Sequence, residues 1–476
     1  MAQRRLDVTQ KAVQPQIPVP IMRLPDELLS EILTQVDSWT VLRLARTCRR
    51  WLPIVREQLY HTISCDRVPK LRKLTESVQK HPDLGALVKT ADLRPLCDYF
   101  DEEDVSGSDT GSFRAGYYLA PDEGVDTIAA LLPFVPNLVQ LKIAGFQASH
   151  ARVLLQVAGQ LAHLTRLDLE FARHDCEPKT IRTWWYALQR LRRLERLALC
   201  SGAGCDILPT ASYQYEPWTE LRYFRVDSSC IPREDAPSLS HFAPNLKHLE
   251  LYGASDDPPS ILNFLESAPS GLEILRLCPE TEYTIDSLLP RLSALKELVL
   301  CGGSFTPGPL LQFLSTSPVE KLKFETGYRK PVLANDEFLL AVLEGDRRAQ
   351  ALRYLAYLAY PIRDVLSRPE NLEAGLENVR HAAMPKWPAG CTEAGLKRVL
   401  EAANKVQVTV TGSALACLDW DRTWDDTLER TAVDVLYPAS SERTLVRLLG
   451  RERGAHVLRE ERPGLVALLN GTAEVE

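Results

Sequence analysis

Leu164-Thr165-Arg166-Leu167-Asp168-Leu169 and, 30 residues on, Leu194-Glu195-Arg196-Leu197-Ala198-Leu199 share one spacing, apolar-x-x-apolar-x-apolar. The alternation that closes each stretch is that of a short strand with one buried face. The spacing returns at Leu138/Leu141/Ile143, Leu221/Phe224/Val226, Leu246/Leu249/Leu251, Leu272/Leu275/Leu277, Leu295/Leu298/Leu300 and Val319/Leu322/Phe324. Less regular copies follow at Leu352/Leu355/Tyr357 and Leu376/Val379. First positions are separated by 26, 30, 27, 25, 26, 23, 24, 33 and 24 residues, so the chain is an internal repeat.

That period falls mostly within the range of leucine-rich repeats. Between the strands, helical apolar spacing recurs: Val153/Leu154/Val157 with Leu161, Ile181/Trp185/Leu188, Ile261/Leu262/Leu265, Leu288/Leu289/Leu292, Leu310/Leu311/Leu314 and Phe338/Leu339/Val342/Leu343. A strand and a helix, repeated, stack into a curved solenoid with a parallel sheet inside and helices outside. One repeat cannot bury its own leucines, whereas about ten in a row can. Cys200, Cys278 and Cys301 directly follow the last strand position of their repeats, and Gly145, Gly202, Gly253 and Gly302 lie just beyond it, where small residues let successive coils stack.

The solenoid is expected over 117–411, its last coil being a helix from Thr392 to Asn404 and a strand from Val406 to Val410. Residues 412–476 are read as a cap and tail, with Trp420, Trp424, Leu428, Val433 and Leu436 covering the open end of the core. Upstream, 98–116 carries Asp101-Glu102-Glu103-Asp104 and a Ser/Gly-rich run, the composition of a disordered acidic insertion. Residues 61–97 read as a connector and irregular first repeat, with a helix over Lys70–Gln79 and a strand near Leu87–Leu93, and residues 1–19 as a flexible lead.

Residues 20–60 have a different pattern. Leu28, Ile32 and Val36 recur every four residues with Leu29 and Leu33 beside them, which predicts an apolar stripe on a helix starting near Pro25. A second helix, with Thr40 as N-cap, places Val41, Leu44, Cys48 and Trp51 on one side and Arg43, Arg46, Arg49 and Arg50 largely off it. A third is expected over Pro53–Tyr60. So small a unit cannot bury all this apolar surface, and the surplus must meet another surface.

The run Leu24-Pro25-Asp26-Glu27-Leu28, then Ile32-Leu33, Leu42-x-Leu44 and Cys48-Arg49-x-Trp51, resembles an F-box in order and spacing. Val36 stands where that family often has Leu, and Thr47 where Val or Ser is common. The resemblance implies a fold class: α/β, a three-helix F-box ahead of a leucine-rich-repeat solenoid. It also implies a function, the substrate-recognition subunit of a Skp-cullin-F-box ubiquitin ligase. Leu24, Pro25, Leu28, Ile32, Leu33, Leu42, Leu44, Cys48 and Trp51 would then bind a Skp-type adaptor, and through it a cullin and RING protein, or form the helical core that presents the contact.

Composition is consistent with this reading. With 45% hydrophobic and 25% charged residues the chain has material for a large core. A net charge of -7 and a pI near 5.8 give no reason to expect nucleic acid or anionic membrane as partner. No apolar run near the start suits a signal peptide and none spans a bilayer. Eleven cysteines without paired short spacings suggest reduced thiols, hence an intracellular protein, cytoplasmic and/or nuclear. No GxSxG, phosphate-loop, HExxH or paired-cysteine motif occurs, so no catalytic residue, metal or cofactor is expected. His174-Asp175-Cys176 reads as a polar turn, and one of Trp184-Trp185 as core packing.

The informative surface is then the inner sheet. Residues between the inward leucines point to the concave face, and Lys142, Arg166, Arg196, Tyr223, Arg225, His248, Arg276, Lys321 and Lys323 are the candidates for holding a protein substrate. Two positions per strand give seven Lys or Arg against three acids, which predicts an acidic or phosphorylated cargo segment. Two other functions fit a solenoid: a scaffold whose F-box acts outside a ligase, and a GTPase-activating protein with a catalytic arginine.

Overall fold

The computed structural model describes residues 24–34, 36, 38–47, 49–96, 123–146, 151–171, 185–201, 207–211, 216–232, 236–253, 258–279, 284–301, 305–325, 334–358, 390–412 and 418. The expected lead, the acidic insertion, the repeat at Leu376/Val379, Trp184, His174–Cys176 and nearly all of the cap and tail lie outside them. The chain divides into two compact units, 1–61 and 62–476.

The first unit contains α1 (Asp26–Thr34), α2 (Ser38–Ala45) and α3 (Trp51–His61). Asp26 and Glu27 in the first turn of α1 complement the positive end of its dipole. Helix α1 stops at Thr34, so Val36 belongs to the following turn and not to the helical stripe. Helix α2 starts two residues before the expected cap, which places Thr40 inside it. Leu29, Leu33, Val41, Trp51, Ile54 and Val55 form the core of this unit, with Leu24, Val36, Leu44, Ala45 and Leu59 packed against it.

The second unit is one parallel sheet of twelve strands in strictly sequential order. The strands are β1 (Thr62–Arg67), β2 (Thr90–Leu96), β3 (Gln140–Phe146), β4 (Arg166–Phe171), β5 (Arg196–Ser201) and β6 (Tyr223–Asp227), then β7 (His248–Gly253), β8 (Ile274–Pro279), β9 (Glu297–Cys301), β10 (Lys321–Glu325), β11 (Tyr354–Leu358) and β12 (Thr409–Thr411). The described repeats therefore fold as their spacing predicts. The strand expected near Leu87–Leu93 is β2, where Val88/Ala91/Leu93 is a buried copy of the motif, and the sheet begins one strand earlier, with Ile63 and Cys65 at the two strand positions in β1.

Register is held by a recurring backbone device. The carbonyl just before one strand accepts two N–H groups from the start of the next: Val139 C=O from Thr165 and Arg166, Thr165 C=O from Glu195 and Arg196, and so on to Glu320 C=O from Arg353 and Tyr354. The inward leucines consequently align across the ladder, as Leu167 with Leu197 and Leu249 with Leu275. One continuous core runs behind the sheet. Its outer wall is made by helices such as Val68–Lys80, Ala151–Ala158, Pro258–Glu266, Pro307–Thr316 and Asp336–Leu343. The expected helix around Leu288–Leu292 is a single 3-10 turn, Leu289–Arg291, because Pro290 denies the turn a backbone donor. Thr392 caps the helix Glu393–Val406, its Oγ1 accepting from the Gly395 N–H at 3.0 Å.

The middle of the core is aromatic. Trp185, Trp218 and Phe242 meet with centroids 4.9–5.6 Å apart, and Trp185 Nε1 donates to the Ile207 carbonyl at 2.6 Å. Trp185 is thus the inward member of its pair. Cys65, Cys200, Cys230 and Cys391 stand outside any disulfide, but Cys278 is disulfide-bonded, which corrects the expectation of uniformly reduced cysteines. The ladder explains how: equivalent positions of successive coils lie about 4.8 Å apart, so sequence distance says little about which sulfurs meet. No helix among the described residues is long and apolar enough to cross a membrane.

Candidate functional site

In the helical head, two adjacent apolar stripes of α1 have separate fates. Leu29 and Leu33 are fully buried, while Leu28 and Ile32 are 45% and 38% exposed. They are an i, i+4 pair, so they share one outer face. Leu42 on α2 is 50% exposed and Leu52 on α3 is 37% exposed. Leu52 escaped the sequence reading; its signal is an apolar residue one step off the buried Trp51/Val55 stripe of α3. Of the other expected positions, Pro25 is exposed, Leu24 and Leu44 pack against the head core, Leu33 and Trp51 lie within it, and Cys48 falls outside the described residues. Arg50 ties this unit together, donating to Asp26 Oδ1 from Nη2 at 2.7 Å and from Nε at 3.1 Å, and also to the Leu24 carbonyl.

On the sheet, the strands run one register position beyond the two that the repeat motif identifies. The ladder aligns Ala144, Glu170 and Cys200 in one row, Asp227, Tyr252 and Cys278 in the continuing row, and Cys301 beside Glu325. By parity these residues share the concave face with the two rows before them. Glu170, Asp227 and Glu325 are thereby added to Asp168, Glu250 and Glu297, and Asp92 on β2 aligns with Lys142. Among the described side chains of β3–β10, seven cations then share the face with six acids, so the excess of positive charge is much smaller than the motif positions alone suggest.

The charges are also paired in a definite pattern. Arg276 Nη2 donates to both carboxylate oxygens of Glu325 at 2.8 Å. Lys323 reaches Glu297 at 2.6 Å and Lys321 reaches it at 3.7 Å. Arg196 stands 3.7 Å from Asp168, a loose ion pair, with its guanidinium 4.0 Å over the Tyr223 ring. Arg225 lies 4.4 Å over Tyr252, its Nε buried without an acceptor. Among the described residues, Lys142, Arg166 and Arg225 have no ion pair to an acid.

Glu250 is the hub of the central cluster. Its side chain is 11% exposed and accepts from Tyr252 Oη at 3.1 Å, with His248 Nε2 at 3.0 Å. Burial alone would raise its pKa; the hydrogen bond and charge of His248, then the Tyr223 and Tyr252 hydroxyls, outweigh burial and hold it at about 2. The same burial, with the Glu250 charge, pushes both tyrosines well above their usual range. His248 packs edge-on to Tyr223 at 4.6 Å. The whole is a rigid lattice of Tyr, Arg, His and Glu, side chains of the types that anchor protein interfaces.

Residues 21–66 match the family model described as F-box-like. Three solved structures are similar to the chain. A protein from Bacteroides fragilis has 14% identity over 59% of this chain and 66% of that one, TM-score 0.32, so the chain spans just under two thirds of its length. Human 5T4, a trophoblast glycoprotein, has 18% identity over 46% and 78%, TM-score 0.31. A chain of the yeast Rad7 and Elc1 complex has 14% identity over 77% and 90%, TM-score 0.34. No curated protein matches the chain.

Proposed function

We propose, from the premise of an F-box-like segment ahead of a leucine-rich-repeat solenoid, that this protein is a substrate-recognition subunit of a Skp-cullin-F-box ubiquitin ligase. The head docks on a Skp-type adaptor inside the cell, which links it to a cullin and RING protein, and the concave sheet holds the cargo. The receptor performs no bond chemistry; it raises the effective concentration of cargo near a ubiquitin-charged enzyme. The observation that carries this reading is the exposure of Leu28, Ile32, Leu42 and Leu52 in the segment that matches the family model. Large apolar side chains held at a small protein's surface are a docking face in search of a partner.

Each such side chain contributes about 1.5–3 kcal/mol when buried in a complex. Leu28→Asp with Ile32→Asp is expected to abolish capture of a Skp-type adaptor by the full chain while leaving its thermal unfolding unchanged, because neither residue belongs to the head core. Undiminished adaptor capture by the double variant would refute the docking face. A scaffold acting outside a ligase predicts adaptor without cullin in the same pull-down, whereas a ligase receptor brings both.

A further inference from the structure

The concave cations fall into two groups along the solenoid. On β8–β10, Arg276 is held by Glu325 and Lys323 by Glu297, with Lys321 loosely paired to Glu297 at 3.7 Å, and both carboxylates are shielded by the surrounding side chains. An anion arriving there would have to displace a carboxylate that then stays poorly solvated, an unfavourable exchange. On β3–β6, Lys142, Arg166 and Arg225 form no ion pair among the described residues, and Arg196 forms a loose one at 3.7 Å. Arg225 is moreover held in place by the Tyr252 ring at 4.4 Å, so binding costs it little side-chain entropy. Of the acids of this half, Glu170 and Asp227 occupy the last register row and Asp168 alone stands in the first two, so four cations there meet one carboxylate and most of the positive charge is uncommitted.

We propose that the anionic segment of the cargo is seated across the starts of β3–β6 on Lys142, Arg166 and Arg225, with Arg196 joining, and not on β8–β10, where Arg276 and Lys323 are already closely ion-paired. This rests on the receptor reading only in calling the ligand cargo. From β3 to β6 are three interstrand steps, about 14 Å, which an extended peptide covers in about four or five residues. The fitting segment carries two or three anionic groups within that length. Carboxylate and phosphate oxygens share the required chemistry, bidentate for a carboxylate on an arginine.

The test is fluorescence anisotropy of the full chain with three labelled nine-residue peptides that differ only at three alternate positions: Glu, phosphoserine or Gln. A single-stranded oligonucleotide of equal charge serves as a fourth probe. The Glu or phosphoserine peptide is expected to bind and the Gln peptide not to. Arg166→Glu with Arg225→Glu should weaken binding about tenfold or more, and Lys321→Glu with Lys323→Glu less than about twofold. Arg166→Gln with Arg225→Gln, checked for unchanged thermal unfolding, guards against a misfolded reversal variant. Which anionic peptide binds tighter assigns the source of the charge. Equal losses in the two halves, no binding of either anionic peptide, or tighter binding of the oligonucleotide would each overturn the proposal. Adaptor capture measured on the same preparations separates the outcomes: peptide binding without adaptor capture sinks the receptor reading and leaves this site standing, and the converse result does the opposite.

Discussion

Glu250 shows how one buried carboxylate can report on a whole surface. Its folded pKa of about 2 lies below the ordinary value of 4.5, so its contribution to stability is complete above pH 4.5 and disappears as pH falls toward 2. The shift corresponds to about 3 kcal/mol, which solvent screening of this partly exposed cluster reduces to about 2 kcal/mol. Urea unfolding between pH 6 and 2 is expected to show an acid limb in the native chain that Glu250→Gln flattens; an identical limb in both would mean that the charge is idle. At this scale the sequence was half legible. Leu28/Ile32 and Leu29/Leu33 are equivalent as patterns, since adjacent positions on a helix both satisfy an apolar i, i+4 rule. Only the packing of Trp51, Ile54 and Val55 against one of them decides which is core and which is surface. The exposure of Leu52 was hidden for the same reason.

Among elements, the repeat motif was readable because the inward apolar side chains of each strand must align with those of the next coil, and leucine spacing is the direct trace of that demand. Where other residues meet the demand, the trace fades: β1 offers only Ile63 and Cys65, and β2 uses Ala91, so the sheet extended two strands beyond its clear beginning. The first coils also contain a tight contact that no pattern announces. A Cβ on Gly85 would stand 2.0 Å from the Phe134 carbonyl oxygen, a backbone atom that cannot swing aside. Gly85→Ala is therefore expected to destabilise the solenoid by about 1–3 kcal/mol, read as a lowered urea midpoint. No change in midpoint would show that these two coils separate freely.

For the molecule as a whole, the sign of the concave face is the instructive case. The motif identifies two outward positions per strand, but the strands run further, and the acids at the extra position remove most of the apparent excess of basic residues. Charge read from a motif is incomplete wherever the element outlasts the motif. The sequential ladder sets how damage spreads. Leu249 is fully buried in β7, so Leu249→Asp places an unpaired carboxylate in the core at a cost of several kcal/mol, on the order of 3–5. Hydrogen exchange should then accelerate first in β6–β8 and least at β2 and β11, because each coil contacts only its neighbours. Uniform acceleration along the sheet would mean that the array melts as one unit.

The paired N–H groups that each coil from β3 to β11 sends to the carbonyl before it make those joints between coils nearly alike. Such a chain, pulled from its two ends, has no single point of rupture. It pays out one coil at a time, in steps whose length is that of a repeat drawn straight, about 25 residues at about 3.5 Å each or roughly 90 Å. The solenoid is in that sense a length reserve under tension, with a force plateau in place of a breaking load.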